Sequence, residues 1–158
     1  MDAITAPSLA QLINRASRAL ARVGDIALKP LGLRYAQVPV LALLREGAEP
    51  TQKDLAEATG IEQPSMAQLL SRMDRDGLIH RAPHPRDARS QTITLAPGTD
   101  ARVANAHDRL AALDKRAVAG FTPAEVATLK DLLTRLGNNL DRAKGAITDE
   151  AVAPRSGD

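Results

Sequence analysis

The sequence predicts a mainly α-helical protein that carries one small β-hairpin. Hydrophobic residues make up 44% of its 158 residues, and many of them are alanine or leucine, which favour helices. Aromatic residues, which favour strands, are limited to one Tyr and one Phe. The alternation that is typical of a strand appears only within residues 79–95. A chain of this length is expected to form one domain, with room for an appended dimerisation layer.

The first predicted helix covers residues 8–29, with Ser8 as its N-cap. Its apolar face is formed by Leu9, Leu12, Ile13, Ala16, Leu20, Val23 and Ala27. Three arginines fall on the opposite face, namely Arg15, Arg18 and Arg22. Because residues 29–32 include Pro30 and Gly32, they are expected to end the helix.

A second helix is predicted over residues 35–46, and Gly47 is its expected C-terminal cap. Val38, Leu41 and Leu44 supply its buried side. Pro39 lacks a backbone N–H, so this helix is tolerated only if Pro39 lies in its first turn.

Residues 51–76 have the pattern of two helices joined by a tight turn. Thr51 and Asp54 match a capping box and start a short helix that extends to about residue 59. Gly60 is expected to end this helix. A second helix follows over residues 63–76, with Pro64 in its first turn and Glu62 as a candidate N-cap.

Residues 79–82 and 91–95 are predicted strands that flank an eight-residue polar loop, so together they form a hairpin. Helical periodicity returns over residues 99–119. The Thr122-Pro123-Ala124-Glu125 stretch then starts a last helix. The apolar stripe of that helix is Val126, Leu129, Leu132, Leu133, Leu136 and Leu140. The segment 146–158 is small and polar, and it is predicted to be a disordered tail.

The two helices of residues 51–76 form a candidate helix-turn-helix, a motif that places its second helix in the major groove of DNA. That helix must have two different faces, and its predicted core face is Met66, Leu69, Leu70 and Met73. The opposite face carries Ser65, Gln68, Arg72 and Arg75, with Gln63 near the tip. Gln pairs with adenine, and Arg pairs with guanine or phosphate. Taken alone, this face is equally compatible with the solvated side of an ordinary amphipathic helix.

The hairpin that follows favours the DNA-binding interpretation. Its loop carries Arg86 and Arg89 near the tip, where guanidinium groups can enter the minor groove or lie along the backbone. Asp87 is expected to orient an arginine through a salt bridge. The alternative is a solvated turn with a weak ion pair. The net charge of +2 decides little, but residues 80–95 hold three arginines against one aspartate, which suits local contact with a polyanion.

Composition excludes several classes of protein. The absence of cysteine rules out disulfides, thiolate metal sites and a thiol switch. No apolar run is long enough to span a bilayer, and no signal peptide is recognised, so a cytoplasmic protein is expected. Three histidines (His80, His84 and His107) raise zinc binding as a minor alternative, but their spacing does not favour it, and no metal or cofactor is predicted. No catalytic triad, paired carboxylates or phosphate loop is found, so an enzyme is not expected.

Four stretches of the chain resemble the MarR family of bacterial transcription regulators. They are residues 32–33 with 36–41, residues 51–56, residues 73–79, and residues 85–91 with 95–98. The similarity covers roughly residues 8–143, and the stretches around the second helix and the hairpin are the most specific. The resemblance implies a winged helix-turn-helix over residues 35–98. It also implies a helical dimerisation layer formed by the N- and C-terminal helices, residues 8–34 and 99–145.

What the resemblance implies about function is a homodimer that binds pseudo-palindromic double-stranded DNA, as a repressor released by a small-molecule effector such as an aromatic acid or phenol. The expected DNA-binding residues are Thr51, Gln52, Gln63, Pro64, Ser65, Gln68, Arg72, Arg75, Arg86, Asp87 and Arg89. The candidate effector-binding residues are Arg15, Arg18, Tyr35 and His107. A winged-helix module that binds protein without binding DNA is the alternative, because fold does not dictate function.

Overall fold

The computed structural model describes residues 6–152, with side chains described to residue 144, and it confirms a mainly helical fold with one two-stranded antiparallel sheet. The helices are α1 (Leu9–Leu28), α2 (Val38–Arg45), α3 (Gln52–Thr59), α4 (Gln63–Arg75), α5 (Thr99–Ala117) and α6 (Pro123–Val152). The strands β1 (Ile79–His84) and β2 (Asp87–Leu95) lie between α4 and α5. The chain forms two compact units, of which the first ends at Asp114 and the second begins at Lys115.

Helix α1 begins with the predicted cap and then leaves most of its apolar face uncovered. Ser8 and Gln11 form a reciprocal capping box, in which each side chain accepts the other residue's backbone N–H at 3.2 and 2.8 Å. Within this helix only Gly24 and Leu28 are buried. Four large apolar residues of α1 are exposed, namely Leu9, Leu12, Val23 and Ile26. The helix therefore carries apolar surface that the first unit does not bury.

The segment predicted as a helix over residues 35–46 begins as a short 3₁₀ turn, Tyr35–Gln37, and continues as α2 from Val38. Pro39 consequently lies in the first turn of α2, as its missing N–H required.

Helix α5 donates hydrogen bonds to carbonyl groups in the last turn of α1 and in the short turn that follows it. Arg102 donates to Leu31 O at 2.9 Å and to Gly32 O at 3.1 Å. Arg109 donates to Ala27 O at 3.2 Å. These bonds satisfy backbone acceptors at the end of a helix, where water or a side chain must otherwise do so.

One hydrophobic core fills the first unit. Helix α4 contributes four buried side chains to it, namely Met66, Leu69, Leu70 and Met73. The other core residues are Leu28, Leu33, Val40, Leu41, Leu44, Leu55, Ala56, Leu78, Ile79, Ile93, Val103 and Ala106. The core face predicted for α4 is therefore correct, and its burial orients the opposite face of the helix toward solvent.

The hairpin is longer than the sequence predicted. Its strands pair from Ile79–Leu95 to Pro83–Gln91, and after an irregular step His84 pairs with Asp87. The expected eight-residue loop is therefore wrong, since only residues 85 and 86 separate the strands. Residues 88–90 of β2 have no opposite residue in β1, an arrangement typical of a bulge. The bulge adjoins Pro83, which cannot donate a ladder hydrogen bond.

In the second unit, α6 starts at the predicted cap. Thr122 N donates to Glu125 Oε2 at 2.7 Å and Glu125 N donates to Thr122 Oγ1 at 3.2 Å, and the bonds from Thr122 lower the pKa of Glu125. Four leucines of the predicted stripe are exposed, namely Leu129, Leu132, Leu133 and Leu140. The helix continues to Val152, so residues 146–152 of the predicted tail are helical. The rest of that tail, residues 153–158, lies outside the described residues.

Candidate nucleic-acid interface

The first helix of the motif, α3, begins at a complete capping box. Asp54 N donates to Thr51 Oγ1 at 3.3 Å, and Thr51 N donates to Asp54 Oδ2 at 2.8 Å. The Thr51 hydroxyl also donates to Asp54 Oδ2, at 2.8 Å. Because these donors favour the ionised carboxylate, they hold the pKa of Asp54 below its ordinary value of 3.8. The first residue of α3 is therefore determined by the hydrogen bonds between Thr51 and Asp54, which lie three positions apart in the sequence.

The turn between α3 and α4 depends on Gly60, whose φ of 69° lies in the left-handed region that favours glycine. Thr59 supports the turn, since its hydroxyl donates to Leu55 O at 2.7 Å and accepts from Ile61 N at 3.4 Å. This local geometry ends α3 and lets α4 begin three residues later.

Helix α4 presents a polar face to solvent. It begins after Glu62, with Pro64 in its first turn, as predicted. The exposed residues that we predicted as DNA contacts on this helix are Gln63, Pro64, Ser65, Gln68, Arg72 and Arg75. Ser71 is exposed beside them, and with Ala67, Gln68 and Arg72 it lines a shallow depression. Sequence reasoning missed Ser71, although its position three residues after Gln68 places it on the same face.

The two predicted arginines of α4 differ in their surroundings. Arg75 Nε lies 3.3 Å from Asp76 Oδ1, so its charge is partly neutralised within the chain. Arg72 makes no ion pair with any residue that the structure describes. Arg72 is therefore the cation of this helix that is most available to an external anion.

Strand β2 is attached to the beginning of α3. Ile93 N donates to Pro50 O at 2.9 Å, and Thr92 pairs with Thr51 in an isolated bridge. Helix α4 contacts the other strand, because Arg81 Nε of β1 lies 3.4 Å from Asp74 Oδ2. The hairpin is thus fixed to both helices of the motif, which is the arrangement of a wing. The sequence offered no signal for the Asp74–Arg81 pair.

The tip of the hairpin places Arg86 in the turn and Arg89 in the bulge of β2, and both side chains are exposed. His84 Nδ1 accepts a hydrogen bond from Arg86 N at 3.2 Å. Asp87 Oδ1 accepts from Arg89 N at 3.0 Å, so it organises the backbone. Within residues 6–144, Asp87 forms no salt bridge with an arginine, contrary to expectation. Neither guanidinium group is paired with an acid in the part of the chain that the structure describes, so both can project from the wing.

A second feature of the first unit is an open cleft of about 480 Å³ between α2 and α5. It is lined by Val38, Leu41, Ala42, Arg45, Glu46, Val103, Ala106, His107 and Leu110. Among the four candidate effector-binding residues, His107 is the one that lines this cleft. Arg15 and Arg18 are exposed on α1, and Tyr35 packs against Gly24. At the rim, Arg45 Nε donates to Asp100 Oδ1 at 3.1 Å.

Two kinds of feature are absent from the described residues, a metal-binding cluster and a membrane-spanning helix. No three His, Asp or Glu side chains within that part of the chain lie close enough together to hold a metal ion. None of the helices in this part of the chain has an apolar stretch that could span a bilayer.

Comparison with known proteins identifies the motif and wing. The model of the MarR family matches residues 31–90, a segment that includes α2, α3, α4 and most of the hairpin. Residues 31–90 form a MarR-family domain. Members of the MarR family are transcription regulators, not enzymes.

Solved MarR-family structures share this fold over most of the chain. A mutant MarR from E. coli, complexed with operator DNA, is 28% identical with a TM-score of 0.75, covering 81% of this chain and 92% of that chain. A probable transcriptional regulator from Pseudomonas aeruginosa is 25% identical to this chain, with a TM-score of 0.74. The match covers 82% of this chain and 96% of the Pseudomonas chain. S. aureus MepR in a DNA complex is 22% identical to this chain, with a TM-score of 0.79. The match covers 85% of this chain and 99% of the MepR chain, and it shows a shared fold.

Proposed function

We propose that this MarR-family regulator binds pseudo-palindromic double-stranded DNA as a homodimer and acts as a repressor that a small molecule releases. The observation that carries the proposal is the exposed polar face of α4, flanked by a wing with two exposed arginines, Arg86 and Arg89, at its tip. A major groove accepts one α-helix, and its base edges present a distinct pattern of donors and acceptors for each base pair. The likeness to a mutant E. coli MarR that is complexed with operator DNA supports the proposal that this chain binds DNA.

In this proposal the exposed residues of α4 bind different parts of the DNA, according to the chemistry of their side chains. Gln68 is exposed and carries an amide, the group that pairs with adenine through one donor and one acceptor. Arg72 and Ser65 bind phosphate or base edges beside it. The wing supplies Arg86 and Arg89, which enter the minor groove, where the negative potential attracts guanidinium groups.

Support for a homodimer comes from apolar surface that the chain leaves exposed. On α1, Ile26 is 72% exposed and Leu9 is 63% exposed. On α6, Leu140 is 60% exposed and Leu132 is 52% exposed. Surface of this kind on two helices is typical of an oligomer contact. A two-fold axis would place two copies of α4 about 34 Å apart, one turn of DNA.

The cleft between α2 and α5 is the site that we propose for the effector. Its walls are mostly apolar, with His107, Arg45 and Glu46 as polar groups. Cavities of a few hundred Å³ with few polar groups are typical of small-molecule sites. A ligand changes DNA binding only if it binds the DNA-competent and DNA-incompetent conformations with different affinity.

The test is a footprint on the DNA that flanks the gene, combined with sedimentation of the free protein and its complex. We expect one protected pseudo-palindrome occupied by two chains. Arg86→Ala should weaken binding and lower the salt dependence. The magnitude of the slope of log K against log salt should fall by about 2, because each of the two subunits loses one guanidinium group. Arg116→Ala, which removes an exposed arginine from α5, is the matched control. The absence of any protected site, with normal binding to a protein partner, would instead identify an interaction module.

A further inference from the structure

The first residues of α3 and α4 are joined by their side chains. Gln52 Nε2 donates a hydrogen bond of 3.1 Å to Gln63 Oε1, although the two residues are eleven positions apart. Each glutamine is the first residue of its helix. Gln63 is exposed and Gln52 is partly exposed, so the bond lies at the surface where the motif would face DNA.

This bond orients an amide that otherwise has no preferred direction. A glutamine side chain can rotate its terminal amide and exchange the positions of its oxygen and its NH2 group. Donation from Gln52 stabilises the orientation in which Oε1 of Gln63 faces α3. A carbonyl oxygen has two lone pairs, so Gln63 retains one acceptor site and both N–H donors. Those are the groups that a bidentate pair with the N6 and N7 atoms of adenine requires.

We propose that Gln52 is a positioning residue that holds the Gln63 amide ready to read an adenine in each half-site. The inference rests on the proposed DNA binding and adds a specificity-determining residue and its base. Residues at the N-terminus of a recognition helix are those that reach base edges, and Gln63 occupies that position on α4. An amide that is already oriented loses less conformational entropy when it binds the base.

The contact is not required for the fold. The start of α3 is capped by Thr51 and Asp54, and α4 is anchored by Met66, which is fully buried. Loss of a surface hydrogen bond between two glutamines therefore leaves the helices in place. Its effect should appear in base preference.

The experiment is selection of duplexes from a randomised library by the full-length protein and its variants. Gln52→Met removes the amide but retains the length of the side chain, and Gln63→Met does the same on α4. We expect Gln63→Met to abolish the preference for adenine at one position of each half-site. Gln52→Met should reduce that preference by roughly three- to tenfold, the factor that one net hydrogen bond supplies. Gln91→Met, which changes an exposed glutamine of β2, should leave the preference at that position unchanged.

The double variant separates positioning from direct contact. If Gln52 acts through Gln63, adding Gln52→Met to Gln63→Met changes base preference no further. If Gln52→Met lowers affinity on all duplexes equally, or leaves preference unchanged while the wild type is selective, the positioning role is overturned and the proposed function stands. A wild-type protein that selects no sequence overturns the proposed function, and this inference with it.

Discussion

The ring of Tyr35 lies against the bare backbone of Gly24, in the space that a side chain at residue 24 would occupy. The same residue is tied to α1 a second time, because Tyr35 N donates to Asp25 Oδ1 at 2.7 Å. The segment between α1 and α2 is therefore folded back onto the last turns of α1. Gly24 makes this possible by the absence of a Cβ.

We expect Gly24→Ala to lower the free energy of unfolding by about 1–3 kcal/mol, because the added methyl group overpacks the contact with Tyr35. Urea denaturation measures it. In a protein that already carries Tyr35→Ala, Gly24→Ala should lower the free energy of unfolding by clearly less, because the clashing ring is absent. Gly137→Ala is the control, because no described atom beyond the neighbouring backbone of α6 lies within 4 Å of the new Cβ. It should raise the free energy of unfolding by about 0.5–1 kcal/mol. Equal losses from Gly24→Ala in both backgrounds would contradict the packing.

The capping box of α3 predicts a pH-dependent contribution to stability. The folded protein holds the pKa of Asp54 below its ordinary value of 3.8, through hydrogen bonds from Thr51. A lowered pKa means that Asp54 stabilises the fold above the unfolded pKa, and that this contribution is lost as the pH falls through the folded pKa. Asp54→Ala should lower the free energy of unfolding by about 0.3–1 kcal/mol at neutral pH, the range for an exposed acid in the first turn of a helix.

The measurement is the free energy of unfolding of wild type and Asp54→Ala as the pH is lowered from neutrality. We expect the gap between them to narrow from about pH 5 downward. Asp108→Ala, which removes the same charge from an exposed position of α5, is the control for the change in net charge. A gap that stays constant in acid would show that the carboxylate does not cap α3.

The Asp74–Arg81 pair predicts an effect on DNA binding that is opposite to the one expected from charge. Removing an acid near DNA ordinarily strengthens binding, because it reduces repulsion of phosphate. Asp74, however, ties α4 to β1 across 3.4 Å. We therefore expect Asp74→Asn to weaken binding on all sequences by about two- to fivefold, a factor in the range of a surface ion pair.

Asp76→Asn is the contrasting variant, because it releases Arg75 from its 3.3 Å pair and does not touch the wing. It should strengthen binding. Titration of one duplex with both variants at fixed salt decides the question. If both aspartates behave alike, the pair does not position the wing.

The cleft between α2 and α5 predicts a variant that binds DNA but does not respond to ligand. Ala42 lines the cleft and is exposed, so Ala42→Leu reduces its volume without disturbing the core. With benzoate as an aromatic-acid probe, we expect the wild type to release DNA and Ala42→Leu to retain it. Ala101→Leu, on α5 outside the cleft, should respond as the wild type does. If benzoate releases DNA from Ala42→Leu as readily as from the wild type, the effector binds outside this cleft.

Much of the DNA-binding motif was predictable because its signals are local. The cap of α3 joins Thr51 to Asp54, three residues away, and Gly60 ends the helix through its own backbone conformation. The two faces of α4 follow from a period of 3.6 residues. Such features depend on few neighbours along the chain, so the sequence by itself determined the helices, their order and the polar face.

The tertiary structure alone decided which distant residues meet. The bond between Gln52 and Gln63, the ring of Tyr35 on Gly24, and the pair of Asp74 with Arg81 each join separate elements. The wing was mispredicted for the same reason, since its bulge depends on the register between β1 and β2. The relative position of two elements is set by the packing of the whole core, and no short stretch of sequence contains that information.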